Sequence, residues 1–483
     1  MGMKRDLFYL QIGGSYDRSE HWRMSDNYVP TRQEDGGWRD NSYDMDKKFS
    51  LKTGYTPNAT DEYVVAFQNQ EGDKGNPVNT NPQISPYYWQ WPTWNKQDVS
   101  FSSSTALGES STLKLRAYYD TYVNTIYAYT DNSFTVINKT GNLKPTGQSF
   151  YDDFTHGAMA EFETTLIPAN TLRAVLQTKD DVHRESSVQN DTIGWTHYQD
   201  HYISGGVEDN VDLAKNWDLS LGAGWDQQRP VDSGAWSLPS PKSYYHGQAG
   251  LFWKATPSTE VYATLAQKDH FPTLKDRYSL RMGTYIDNPG LVPERSVNYE
   301  TGVKSQLSPR VNVQAALFLS DIRNLIQGMP VAGGMMQMQN IGEVRNSGME
   351  LSLQARPSDR VELGLGYTYL DRDNVSNPSS VLTGTPRNSG NGYVKYQMTE
   401  TLHVLGSVQS QDALWDSYSN VSKQSVVNRL GGFTTCNLNL GWKPVAALEV
   451  AGGVTNLFDR NYQLTTGYPL PGRMWFANAR YRF

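Results

Sequence analysis

One cysteine in 483 residues leaves the chain without an intrachain disulfide. That residue, Cys436, falls in phase with Leu438, Leu440 and Trp442, as a small residue on an apolar face would. No stretch approaches the ~20 apolar residues of a membrane helix, so any spanning of a bilayer must be done by strands. Apolar residues make up only 37% of the chain and the mean hydropathy is −0.62. A formal charge of −7 gives no support to nucleic-acid binding. GxSxG, HExxH, a P-loop and a strand-borne GxGxxG are all missing, so no enzyme is expected and no cofactor is called for; a barrel hydrolase would need a Ser/His pair converging at the rim, which spacing alone does not exclude. The opening MGMKRDLFYL carries no apolar signal segment and no cleavage site, which reads as a truncated or re-started chain.

What the chain does have is alternation. The last stretch, RMWFANARYRF, puts Trp475, Ala477, Ala479, Tyr481 and Phe483 on one side of an extended chain. Phe476, Asn478, Arg480 and Arg482 fall on the other. The 12% aromatic content argues against disorder, and such a strand suits a barrel with lipid outside and a wet lumen inside. Trp217, Leu219, Leu221, Ala223 and Trp225 alternate with Asp218, Ser220 and Asp226. Trp217 and Trp225 lie ~26 Å apart along a strand, or ~20 Å in height at a ~40° tilt, close to the ~25 Å apolar band of an outer-membrane barrel. One strand is less clean, because Asp209 shares a face with Ile203, Val207, Val211 and Leu213.

Short turns and long loops also alternate. Turns are expected at 56–60, 108–110, 168–170, 214–216, 256–258, 308–310, 357–359, 398–400 and 444–446, each rich in Pro, Gly, Asn, Ser or Thr. Twenty strands follow, the first at residues 7–17, rising into a long loop, and the last descending. These two ends could pair antiparallel and close the barrel, and without such pairing two edges would stand in lipid. The fold expected is all-β, a transmembrane antiparallel barrel over residues 1–483, and a soluble or surface β-rich binding protein is the remote alternative.

Candidate ligand contacts lie in the loops. The stretch SPYYWQWPTW at 85–94 offers Tyr88, Trp89 and Trp91, either as an interfacial aromatic belt or as a ligand-contacting loop. GMPVAGGMMQMQ gathers Met329, Met335, Met336 and Met338, an adaptable apolar lip or, through soft thioethers, a Cu(I) site. His197 and His201 share a strand face ~13 Å apart, too far for one metal ion, so no metal site is assigned. His183 sits at a strand top in KDDVHRES.

Four segments resemble the TonB-dependent outer-membrane receptors. VTNLFDRNY at 454–462 is similar to that family's NLFD-x-x-Y stretch, and GYPLPGR at 467–473 to its lead into the final strand. NPGLVPERS at 288–296 and NIGEVRNSGME at 340–350 resemble two further signatures, and they occur in the family's order. The resemblance implies about twenty strands of a 22-strand barrel in the bacterial outer membrane. It also implies energy-coupled uptake of a scarce nutrient, most often a ferric siderophore, with outer-membrane lipid and the TonB complex as partners. The family's N-terminal plug and TonB-contacting segment are not recognised here, so a fragment or a passive porin-like channel is the alternative expectation.

Overall fold

The computed structural model describes residues 2–139, 147–188, 194–281, 284–332, 335–422 and 424–482. Phe483, the last residue of the apolar face proposed for the final strand, lies outside them. The chain opens with a short hairpin, β1 (Gly2–Arg5) and β2 (Phe8–Ser19). Long strands then follow in meander: β3 (Asp44–Tyr55), β4 (Glu62–Asn76), β5 (Trp89–Ala106), β6 (Ser111–Ala128), β7 (Gln148–Thr164) and β8 (Asn170–Val188). Next come β9 (Trp195–Ala214), β10 (Trp217–Ser233), β11 (Lys242–Thr256) and β12 (Thr259–His270). The loop after β12 carries a five-residue helix, α1 (Leu274–Tyr278), and a two-residue strand, β13 (Tyr285–Ile286). The second half holds β14 (Glu294–Ser308), β15 (Val311–Arg323), β16 (Ile326–Val331), β17 (Met335–Asn340), β18 (Glu343–Ser358) and β19 (Val361–Asn374). It ends with β20 (Asn388–Gln397), β21 (Leu402–Gln411), β22 (Leu414–Ser419), β23 (Ser425–Leu430), β24 (Phe433–Val445), β25 (Leu448–Thr455) and β26 (Met474–Tyr481).

Twenty-one of these strands form one antiparallel sheet, while β13, β16 and β17 form a small sheet and β22 with β23 a hairpin, both within loops. Twenty long strands are those expected from alternation. The twenty-first, β1, was not expected. A turn at Asp6, in the left-handed region at φ 48°, folds it onto β2 so that Arg5 faces Phe8. All nine short turns join strands where the turn-forming residues place them.

β1 leads into a short turn and β26 leaves a long loop, so both run toward the turn side. Two strands of the same direction cannot complete an antiparallel ring by pairing with each other. Accordingly, the expected closure is not seen: among the described residues no ladder joins β1 or β2 to β26. The sheet nevertheless curls right round, because loops from its two ends meet. Ser25 Oγ donates to Asp459 O at 2.7 Å, Gly472 N to Arg23 O at 2.9 Å, and Thr80 N to Gly467 O at 2.8 Å.

The apolar face points outward and stays uncovered. Trp475 is 75% exposed, Tyr481 60% and Leu221 46%, values that a protein core would not leave. Trp217 and Trp253, directly opposite on β10 and β11 beside the short turns, stack at 5.6 Å. Trp225 and Tyr245 face each other eight residues higher, giving two aromatic girdles on one pair of strands. Asp209 lies opposite Leu221, halfway between those girdles, with Leu172 on its other side. The register holds despite that mid-depth carboxyl. Buried apolar side chains gather instead among the loops, as with Met24, Val78, Leu274, Tyr278 and Leu291.

Candidate functional site

The polar faces of the strands line the interior, and the loop after β12 folds against this wall. Thr273 caps α1, accepting from Asp276 N while Asp276 returns a bond to Thr273 N, which fixes the entry of a helix otherwise too short to stand alone. Three contacts then dock it. Arg277 pairs with the carboxylate of Asp200 on β9, both fully buried. Tyr278 stacks on Tyr198 with rings 4.6 Å apart and nearly parallel. Ser279 Oγ lies 3.2 Å from the Tyr151 hydroxyl and 3.4 Å from Glu185. Gln228 and the Tyr202 hydroxyl also donate to Asp200, so that carboxylate is solvated by protein rather than water.

Beneath this loop is a cavity of about 550 Å³, lined by Tyr122, Tyr151, Tyr202, Phe271, Asp153, Asp181, Lys179 and Lys275 among others. Burial, helped by the nearby Arg281, pushes the Lys275 amine below its ordinary range, and its nitrogen sits over the Tyr151 ring at 5.4 Å. His183, the strand-top histidine, lines the same cavity. Its Nδ1 lies 2.7 Å from Asp153 and its Nε2 3.4 Å from Glu185, and its ring edge meets Tyr151. It is a buried member of a hydrogen-bond network rather than a solvated group at a strand top. Rings and fixed charges converging in one cavity can hold a solute with both apolar and polar groups.

The aromatic stretch at 85–94 does not form an outer belt. An extra residue on β5 between Gln90 and Thr93 reverses which side its residues face, a bulge the plain alternation could not reveal. Trp89 and Trp91, beyond the bulge, consequently turn to the inner face that Trp94 shares with Lys96 and Tyr122. Tyr87, Trp89, Trp91, Trp94 and Tyr122 form a continuous ladder, with successive ring centres 5.2, 6.3, 6.1 and 5.4 Å apart. Lys74 lies over the Trp94 ring at 3.4 Å. The ladder ends at Tyr122, which borders the cavity. Tyr88 leaves the ladder and packs on Phe134 at 6.3 Å.

Met329 lies on β16, and Met335, Met336 and Met338 on β17. Met338 faces Gly328 and Met336 faces Pro330, whereas Met329 pairs with Gln337 and Met335 with Val331. The four thioethers are therefore split two and two between opposite faces of the small sheet, and cannot converge on one copper ion. Met338 Sδ accepts from Arg281 at 3.8 Å, an added obstacle to a cation. His197 and His201 contact Asp232 and Asp180 separately, and no group of three His, Cys, Asp or Glu suited to a metal occurs among the described residues.

The quoted signatures fasten loops to one another. Val292 N donates to Asn340 Oδ1 at 3.0 Å while Asn340 Nδ2 donates to Val292 O at 2.9 Å, so two of the signatures bind each other. Asn456 Oδ1 accepts from Arg460 N and its amide donates to Pro471 O, which shapes the turn before β26.

A family profile described as "TonB dependent receptor-like, beta-barrel" matches residues 9–457. The chain is 22% identical over 279 residues to a probable TonB-dependent siderophore receptor, PiuA, of Acinetobacter baumannii. It is 25% identical over 273 residues to the metal-pseudopaline receptor CntO of Pseudomonas aeruginosa. Each match takes in 53% of this chain and 36% of the relative, so the matched stretch spans about a third of those receptors' length. In three dimensions the chain is similar to the copper transporter OprC, with a TM-score of 0.82 at 14% identity, over 100% of this chain and 77% of that one.

Proposed function

The chain belongs to the TonB-dependent receptor β-barrel family of the bacterial outer membrane, and from that membership we propose that it serves energy-coupled uptake of a scarce nutrient, with a ferric siderophore as the ligand. It is a transport receptor barrel rather than an enzyme. The observation that carries the reading is the loop-side cavity under α1, fed by the aromatic ladder that descends to Tyr122. Relatives named for siderophore and metal-pseudopaline receptors favour a metal chelate over a free ion. Trp89 and Trp91 would meet the chelate first, while Tyr88, Met329, Met335, Met336 and Met338 would form apolar parts of the rim. TonB would supply the energy, as in the family.

The test is uptake of radiolabelled ferric siderophore by iron-starved cells that rely on this receptor. Saturable uptake that stops when TonB is deleted is expected. A flux of small solutes that neither saturates nor needs TonB would replace the reading with a passive channel.

A further inference from the structure

A second loop-side cavity, of about 940 Å³, lies across the mouth between the tops of β19 and β20 and the hairpin of β22 and β23. Its most telling residue is Arg372. Arg372 lies opposite Asn346 on the face that carries Glu350 and Thr368, which is the inner wall. Its guanidinium donates to Asn346 Oδ1 at 3.2 Å, Thr385 Oγ1 at 3.0 Å and Thr383 O at 3.4 Å. All three acceptors are neutral, and among the described residues no carboxylate lies within ion-pair reach of Arg372. A half-buried guanidinium held in place without a counter-ion is a site awaiting an anion.

The hairpin supplies the rest. Trp415 and Arg429 are directly opposite, so they present an indole and a second guanidinium to the same side. Both line the cavity with Leu414, Val381 and Leu382. Three carboxylates also border it, and among the described residues none of them forms an ion pair with Arg372 or Arg429. Asp371 is paired with Arg387, Asp373 lies opposite Arg345, which is itself paired with Asp321, and Asp412 accepts from the neutral Asn388 amide.

We propose that this cavity binds an anionic ligand bearing carboxylates on a bulky body, with Arg372 and Arg429 taking the carboxylates and Trp415 covering the body. The guanidinium fork matches a carboxylate with two parallel hydrogen bonds, and the indole offers area at little entropic cost. The proposal deepens the receptor reading by assigning the charge of the chelate. It rests on that reading only for why such a solute would arrive.

The experiment is isothermal titration of the refolded chain in detergent with ferric citrate, an uncharged ferric trihydroxamate and inorganic phosphate. Ferric citrate is expected to bind, and Arg372→Gln and Arg429→Gln are each expected to weaken it about tenfold or more. The trihydroxamate should respond less than about twofold to either variant. Arg429 is exposed and lies in a loop hairpin, so its variant removes charge without disturbing the sheet, and heat-modifiable gel migration verifies folding of both. Wild-type failure to bind ferric citrate, or unchanged binding in the Arg429 variant, would overturn the proposal. So would phosphate binding as tightly as the chelate, which would point to lipid phosphate and leave Trp415 without a role. Titration requires no transport. Binding without TonB-dependent uptake would sink the receptor reading alone, and uptake without Arg-dependent binding would sink this one alone.

Discussion

Asp459 accepts a hydrogen bond at 2.7 Å from the backbone N–H of Asp26, 433 residues earlier in the chain. The other carboxylate oxygen takes Arg473 N at 2.8 Å, and the Asp459 carbonyl takes Ser25 Oγ and Asn27 Nδ2. One residue thus joins the first long loop, the last long loop and the entry to β26. Where no strand ladder joins the two edges of the sheet, these loop bonds hold its ends together. Asp459→Ala removes two charge-assisted bonds from part-buried donors and should cost about 2–4 kcal/mol. Urea unfolding of the refolded barrel, followed by gel migration, reads this directly. Asp459→Asn, which keeps an acceptor and tolerates the φ of 54°, should lose clearly less.

The Arg277–Asp200 pair gives a second prediction. Asp200 Oδ1 and Arg277 Nε are buried and have no hydrogen-bond partner, so each side chain depends on the other for compensation. Arg277→Ala should cost about 3–5 kcal/mol at that contact, because it strands a buried carboxylate. The loss is local: the loop at 271–293 should become open to protease while the sheet stays folded. The double change Arg277→Leu with Asp200→Leu should restore much of the protection, since neither charge is then left alone. Protease resistance in the single variant would show that the Tyr198–Tyr278 stack suffices to dock α1.

Much of this architecture was legible because lipid imposes a two-residue period that no local packing can mask. Trp217, Leu221 and Trp475 declared the outward face, and Pro–Ser or Ala–Lys–Asn clusters declared the turns. The failures have specific causes. β1 escaped notice because four residues are too few to show a period. The inward turn of Trp89 and Trp91 depended on one inserted residue in β5, which shifts the face of every residue beyond it. The cavity under α1 depends on Asp200, which alternation places on the inner wall but cannot connect to Arg277, 77 residues away. The signatures identified the family, yet Asn340 and Asp459 work as fasteners. Gly348 is explained the same way, since a Cβ there would lie 2.1 Å from Tyr369 O and 2.6 Å from the Phe318 ring.

Asp209 supplies a prediction about the bilayer. It stands on the outward face at the height of Leu221, where hydrocarbon is expected, and its Oδ1 has no hydrogen-bond partner. Asp209→Leu should stabilise the barrel in lipid vesicles by about 1–2 kcal/mol, less than the full penalty of a mid-depth lysine. In the polar headgroup region or in water the same change would be close to neutral. An unfolding midpoint in vesicles that fails to rise would mean that this stretch of β9 sits higher in the membrane than the Trp217 and Trp225 girdles indicate.

The methionines allow their two chemical roles to be separated. Met336 and Met338 share one face of the small loop sheet with Gly328, and Met329 and Met335 lie on the other. Replacing Met336 and Met338 together by Leu preserves volume and apolarity but removes both sulfurs from that face. If these side chains act as apolar rim contacts, the double variant should bind a ferric chelate within about threefold of the parent, since a volume-conserving swap costs under about 1.5 kcal/mol. Trp91→Ala, which deletes a ring from the ladder, should weaken the same chelate by about tenfold, matching roughly 1–3 kcal/mol for a stacked ring. Titration with Cu(I) closes the argument. Two sulfurs on each side of a sheet, with Arg281 against one of them, offer no convergent ligand set, so parent and variant should bind it equally poorly. Tight Cu(I) binding by the parent that the Leu variant loses would mean that the loop refolds to gather its sulfurs.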